Sequence, residues 1–230
     1  MKTIGLIGGM SWESSSEYYR IINEEVKNQL GGLHSARCIM YSVDFEEIER
    51  HQANGDWSQA GLLLGKAAQS LEKAGADFIC ICTNTMHKVA ADIEKHIHIP
   101  ILHIADATAN QIKKAGIHTV GLLGTKYTME QDFYKKRIES QGIKVVIPES
   151  EDRERVNKVI YEELCLGKIT LSSKEYYKKV IQNLAEYGAQ GIILGCTEIG
   201  LLVKQEDSKI PLFDTTFIHA VESVNYSLKR

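Results

Sequence analysis

A phrase that occurs twice, half a chain apart, constrains this sequence more than any other feature. Ala74-Gly75-Ala76-Asp77-Phe78-Ile79-Cys80-Ile81-Cys82-Thr83-Asn84-Thr85 is echoed by Tyr187-Gly188-Ala189-Gln190-Gly191-Ile192-Ile193-Leu194-Gly195-Cys196-Thr197-Glu198. Upstream of each copy, Thr3-Ile4-Gly5-Leu6-Ile7-Gly8 is echoed by Thr119-Val120-Gly121-Leu122-Leu123-Gly124. Gly75 matches Gly188 and Thr3 matches Thr119, so the offsets are 113 and 116 residues. Two similar halves follow from such self-similarity. Each half sets a small polar cluster directly after an apolar strand.

The chain has 230 residues, enough for one large domain or two of about 100 each. With 43% hydrophobic and 25% charged residues it has a globular composition. A net charge of −3 gives no electrostatic case for nucleic acid or an anionic membrane. No apolar run approaches the ~18 residues of a membrane-spanning helix. Met1-Lys2-Thr3-Ile4-Gly5 leads straight into a strand without a cleavage pattern, so a cytoplasmic location is expected. Five cysteines without framework spacing fit free thiols in a reducing compartment. Neither Cys80-Ile81-Cys82 nor His96-Ile97-His98 has the spacing or further ligands of a metal site, and no metal is expected.

Strand patterns fall at 3–7, 37–43, 77–82, 100–103, 118–123, 143–147, 191–194 and 210–213. Amphipathic stretches at 12–30, 56–74, 86–96, 106–115, 129–139, 151–166, 173–187 and 215–228 predict helices between them. This alternation predicts an α/β fold: two pseudo-symmetric, doubly wound domains with parallel four-stranded sheets and an active site in the cleft between them. Pro100 and Pro211 each open a strand that runs into an Asp/Thr helix start. By the repeat, each of these strands is expected to cross into the other domain. The expected boundaries are 1–100 with 208–230 for the first domain and 101–207 for the second.

Gly8-Gly9-Met10-Ser11 is a strand-to-helix turn without the pattern of a nucleotide-binding loop. Its glycines would let backbone N–H groups approach an anion such as a carboxylate. In the equivalent turn, Gly124-Thr125-Lys126-Tyr127-Thr128, two hydroxyls three residues apart can point toward the same kind of group. Aligning the doubled phrase without gaps pairs Thr83 with Cys196, Asn84 with Thr197 and Thr85 with Glu198. Matching Cys82 to Cys196 needs a one-residue slip that turns Cys82 to the opposite strand face. Thr83 is therefore the partner of Cys196, and Cys82 is expected in the core. Cys196 stands where a strand opens into a short helix, a place where a thiol pKa can fall to ~3.5–7.5. It is a candidate general base or nucleophile.

Gly8-Gly9-Met10-Ser11, Thr83-Asn84-Thr85-Met86-His87, Leu123-Gly124-Thr125 with Thr128, and Gly195-Cys196-Thr197-Glu198 together resemble the aspartate/glutamate racemase family. Within it, the chain is similar to a branch specific for L-aspartate and L-glutamate or of broad amino-acid specificity. The resemblance implies cofactor-independent racemisation, in which one residue removes the α-proton and another returns a proton from the far side. The roles fall on Thr83 and Cys196, with Thr83 where the family typically has Cys. Substrate contacts are implied at Met10, Gln52, Asn84, Thr85, Thr125, Thr128, Thr197 and Glu198. Gln52 reads from the sequence alone as a surface-loop residue. A homodimer is implied, with a free amino acid as the only small-molecule partner. An alcohol is far harder to deprotonate than a thiol, so Cys196 is the expected base and Thr83 the expected proton donor. A small-dicarboxylate decarboxylase or isomerase and a non-catalytic amino-acid-binding protein are the alternatives.

Overall fold

In the computed structural model, which describes residues 1–229, strands and helices alternate along the chain. In order they are β1 (Ile4–Gly8), α1 (Trp12–Leu30), β2 (Cys38–Ser42), α2 (Phe45–Ala53), α3 (Trp57–Lys73), β3 (Phe78–Ile81), α4 (Ala90–Glu94) and α5 (Ile104–Lys114). There follow β4 (Thr119–Gly124), α6 (Lys126–Glu130), α7 (Asp132–Glu139), β5 (Lys144–Val146), α8 (Ser150–Glu162), α9 (Leu171–Glu186), β6 (Gly191–Gly195), α10 (Ile199–Leu202), β7 (Leu212–Asp214) and α11 (Thr215–Leu228). Short 3-10 helices at Thr85–Val89, Leu164–Leu166 and Gln205–Asp207 link some of these. The chain divides into two compact units, Met1–Ile104 with His219–Arg230, and Ala105–Ile218.

The first unit holds a three-stranded parallel sheet, ordered β2-β1-β3. Because side chains alternate along a strand, β3 feeds two cores. Phe78, Cys80 and Cys82 pack with Ile4, Leu6, Tyr18, Ile22 and Val224, on the side of α1 and α11. Ile79 and Ile81 pack on the other face with Leu64, Ala68 and Ile93, on the side of α3 and α4. Each such buried aliphatic side chain contributes about 1.5–3 kcal/mol. Cys82 is a core residue, as the repeat register requires.

The second unit holds a four-stranded parallel sheet, ordered β5-β4-β6-β7. Val120, Leu122, Leu123, Ile192 and Ile193 are all fully buried, as befits strands covered on both faces. Tyr177 of α9 is buried too, and its hydroxyl donates to the Val156 carbonyl of α8 at 3.0 Å.

The architecture departs from the expected one in two places. The first sheet has three strands, because 100–103 forms only one bridge, Ile79 with Ile101. Pro100 has no N–H to donate, and the chain enters α5 at Ile104, leaving just Ile79 N to Pro100 O (2.9 Å) and Leu102 N to Ile79 O (2.8 Å). Second, neither Pro-led strand crosses between units. Ile101 stays with β3, and β7 pairs with β6 through Ile192 and Leu212. The chain passes from the first unit to the second after Ile104 and returns after Ile218.

Candidate active site

Within each unit, functional candidates lie just beyond the carboxyl ends of its strands, after β1 and β3 in the first and after β4 and β6 in the second, the edge where parallel sheets bind ligands. The ladders give an independent check on the repeat. Ile7 pairs with Ile81 in the first sheet, and Leu123 pairs with Leu194 in the second. These pairs keep the two sequence offsets, so Thr83 and Cys196 are the second residues beyond equivalent ladder positions.

After β1 the chain turns sharply at Gly9, which adopts a positive φ of 95°. A Cβ there would lie 2.2 Å from the Val43 carbonyl oxygen, so only glycine fits. Gly9 N donates to Ser15 Oγ at 2.8 Å, and Ser11 caps α1 by accepting from Ser14 N at 3.3 Å. Met10 puts its side chain into the core of the first unit.

Gln52 is not on a surface loop. It lies on α2, which Asp44 caps through Glu46 N, and shares the buried face with Ile48. The i, i+4 spacing of Ile48 and Gln52 was the available signal. The flanking run of Glu, Arg and His hid it.

Beyond β3 the chain bends through Cys82-Thr83-Asn84 into the 3-10 helix at Thr85–Val89. Thr83 is partly exposed, whereas Asn84 and Thr85 are buried. His87 binds both preceding carbonyls. Its backbone N–H donates to Asn84 O at 3.1 Å, and its Nδ1 lies 2.8 Å from Thr83 O.

In the second unit, Thr125 caps the short helix α6 by accepting from Thr128 N, and the two hydroxyls lie 3.2 Å apart. Thr128 is fully buried. The two hydroxyls are within hydrogen-bond distance of each other at the start of the helix. Asn157 Oδ1 supports the same turn by accepting from Lys126 N at 2.8 Å.

Cys196 follows β6 directly. Its Sγ donates to Glu198 Oε2 at 3.0 Å, and Thr197 Oγ1 donates to the same oxygen at 2.8 Å. Here the expected acidic thiol is overturned. Burial first, then the neighbouring Glu198 carboxylate, push the Cys196 thiol well above its ordinary value. The four-residue α10 offers too little dipole to oppose this. At rest, Cys196 is a thiol hydrogen-bonded to a carboxylate.

All five cysteines are free thiols. Among the described residues no helix is long and apolar enough to cross a membrane, and no group of three or more His, Cys, Asp or Glu side chains could hold a metal ion.

The chain matches the Asp/Glu/Hydantoin racemase family over residues 7–222, and it belongs to that family. Among solved structures it is similar to a Yersinia pestis protein described as a candidate Asp/Glu racemase, with 60% identity, a TM-score of 0.93 and full coverage of both chains. It is also similar to an aspartate racemase homologue from Pyrococcus horikoshii, at 36% identity and a TM-score of 0.85, again over both whole chains. A broad-specificity amino-acid racemase of Bacillus subtilis is 24% identical over 225 residues, covering 96% of each chain.

Proposed function

We propose that this protein racemises aspartate and glutamate without a cofactor, with Cys196 as the base on one face of the α-carbon and Thr83 as the proton donor on the other. The observation that carries the reading is the Cys196–Glu198 couple, a thiol already donating to a buried carboxylate at 3.0 Å. Glu198 takes the thiol proton as substrate enters. The thiolate then removes the α-proton, becoming a thiol again. Thr83 gives its hydroxyl proton to the opposite face of the carbanion and regains one from solvent. Glu198 releases its proton to solvent, so the protons balance. In this scheme Glu198 serves Cys196 before it serves the substrate.

Negative charge developing on the substrate carboxylate needs donors already in place. Asn84, Thr85, Thr125, Thr128 and Thr197, the Met10 backbone and Gln52 are assigned that binding role, consistent with their positions near the strand ends or on the neighbouring α2. A homodimer and a cytoplasmic location belong to the same reading. The test is α-proton exchange in deuterated water with each enantiomer. Cys196→Ala is expected to lose exchange of the L-enantiomer, and Thr83→Cys to raise turnover of the D-enantiomer. Full exchange in Cys196→Ala overturns the mechanism. Tight amino-acid binding without exchange in the unaltered protein would make it a binding protein instead.

A further inference from the structure

We infer that His87 is a positioning residue for Thr83, holding the Thr83 loop in place through one fixed tautomer of its ring. The inference rests on the proposed role of Thr83.

Nδ1 of the ring lies 2.8 Å from the Thr83 carbonyl oxygen, which can only accept, so Nδ1 carries the hydrogen. Nε2 receives the Ile104 backbone N–H at 3.2 Å, and a backbone N–H can only donate. The ring is therefore neutral, protonated at Nδ1, with both nitrogens engaged. Swapping the tautomer would break both bonds together.

What the ring holds matters as much. Thr83 and Asn84 lie in a bend between β3 and a 3-10 helix, outside any regular ladder. His87 grips successive carbonyls of that bend, Thr83 O with its ring and Asn84 O with its own N–H. Through Nε2 it fastens the bend to the backbone N–H of Ile104, the first residue of α5. The His87 ring is buried and packs against His103, with ring centroids 4.5 Å apart. Rotation of the Thr83 backbone would swing its hydroxyl away from the α-carbon. A displacement of about 1 Å can cost up to a hundredfold in rate.

Two near-isosteric substitutions divide the ring's functions. The amide nitrogen of asparagine falls near Nδ1 and can still donate to Thr83 O. The glutamine amide reaches toward Nε2 and can still accept from Ile104 N. The measurement follows L-substrate in deuterated water and compares inverted, deuterated D-product with L-substrate that has gained deuterium without inverting. Only the first requires delivery by Thr83. In His87→Gln, inversion is expected to fall about tenfold to a hundredfold relative to retained exchange, with KM little changed. His87→Asn is expected to recover most of that inversion, and thermal melting shows whether each variant is folded. The inference fails if Asn and Gln lose inversion and retained exchange equally, or if either variant acts only on KM. Failure of a variant to fold assigns His87 a structural role and overturns the inference too. Thr83→Ala separates the two levels. If it leaves inversion intact, the role of Thr83 falls; if it abolishes inversion while His87→Gln does not, only the positioning role falls.

Discussion

At Cys196 a single carboxylate has two opposed effects. Glu198 raises the thiol pKa by its charge and its hydrogen bond, yet it is also the nearest acceptor for the thiol proton. Glu198→Gln is therefore expected to change two measurements in opposite directions. Alkylation of Cys196 by a small haloacetamide near pH 8 should speed up, because loss of the negative charge lowers the thiol pKa. Racemisation should slow by about 10²-fold, within the usual worth of a general base. Peptide mapping and chiral chromatography read the two; a fall in both would make Glu198 only a support for local structure. The position of Cys196 was legible in the sequence because the repeat aligns it with Thr83. Its ionisation was not, since it depends on burial and on Glu198, whose effect a reading based on helix dipoles gets wrong in sign. The bonds of His87 were not legible, because its partners at Thr83 and Ile104 are set by a bend and by a helix start seventeen residues away.

Among the elements, the two crossing segments of the first unit are held by a second buried histidine. His219, on α11, has Nε2 2.8 Å from the Leu102 carbonyl, so that nitrogen donates. Its Nδ1 then accepts from the Tyr18 hydroxyl of α1, also at 2.8 Å. The ring thus joins α1, α11 and the chain just before α5, with the His87 ring 5.9 Å away. Complete burial lowers its pKa from 6.5 to about 4. Between those values the unfolded chain binds a proton that the folded chain refuses. The stabilisation from keeping His219 neutral is full above pH 6.5 and is lost as pH falls through about 4. The loss is on the order of 3 kcal/mol. Urea unfolding at pH 7, 5.5 and 4 should show that extra decline in the unaltered protein and not in His219→Gln; parallel declines would contradict it. Long helices such as 12–30 and 215–228 were legible because their caps and periodicity agree. The helix at Phe45–Ala53 was not, because only Ile48 and Gln52 are fully buried there, Phe45 is partly buried, and the run between is mostly charged. A strand of 100–103 was over-read because Pro100 resembles Pro211, and a sequence echo does not reveal that α5 begins so soon after it.

For the molecule as a whole, the repeat carries the account. Each unit builds a parallel sheet in the same relative order, and equivalent ladder pairs put Thr83 and Cys196 at matching places beyond their strands. The two residues differ where a symmetric enzyme would carry the same group twice, so the two directions should differ in kcat, with KM differing in proportion because the enantiomers are equal in energy. The units' cores and the parallel pairing could be argued from alternating apolar and amphipathic runs; the strand order could not. The places where the chain changes unit could not, because they depend on which sheet takes a short Pro-led segment.

The central claim is that the α-proton leaves to one residue and returns from another. Its most direct test is to incubate the protein with L-aspartate, and separately with L-glutamate, in deuterated water and to resolve the enantiomers by chiral chromatography with mass detection. The account predicts D-product carrying one deuterium at the α-carbon from its first appearance, with the mixture moving toward equal amounts of both enantiomers. D-product that retains the original hydrogen, or no D-product from either substrate, would contradict it.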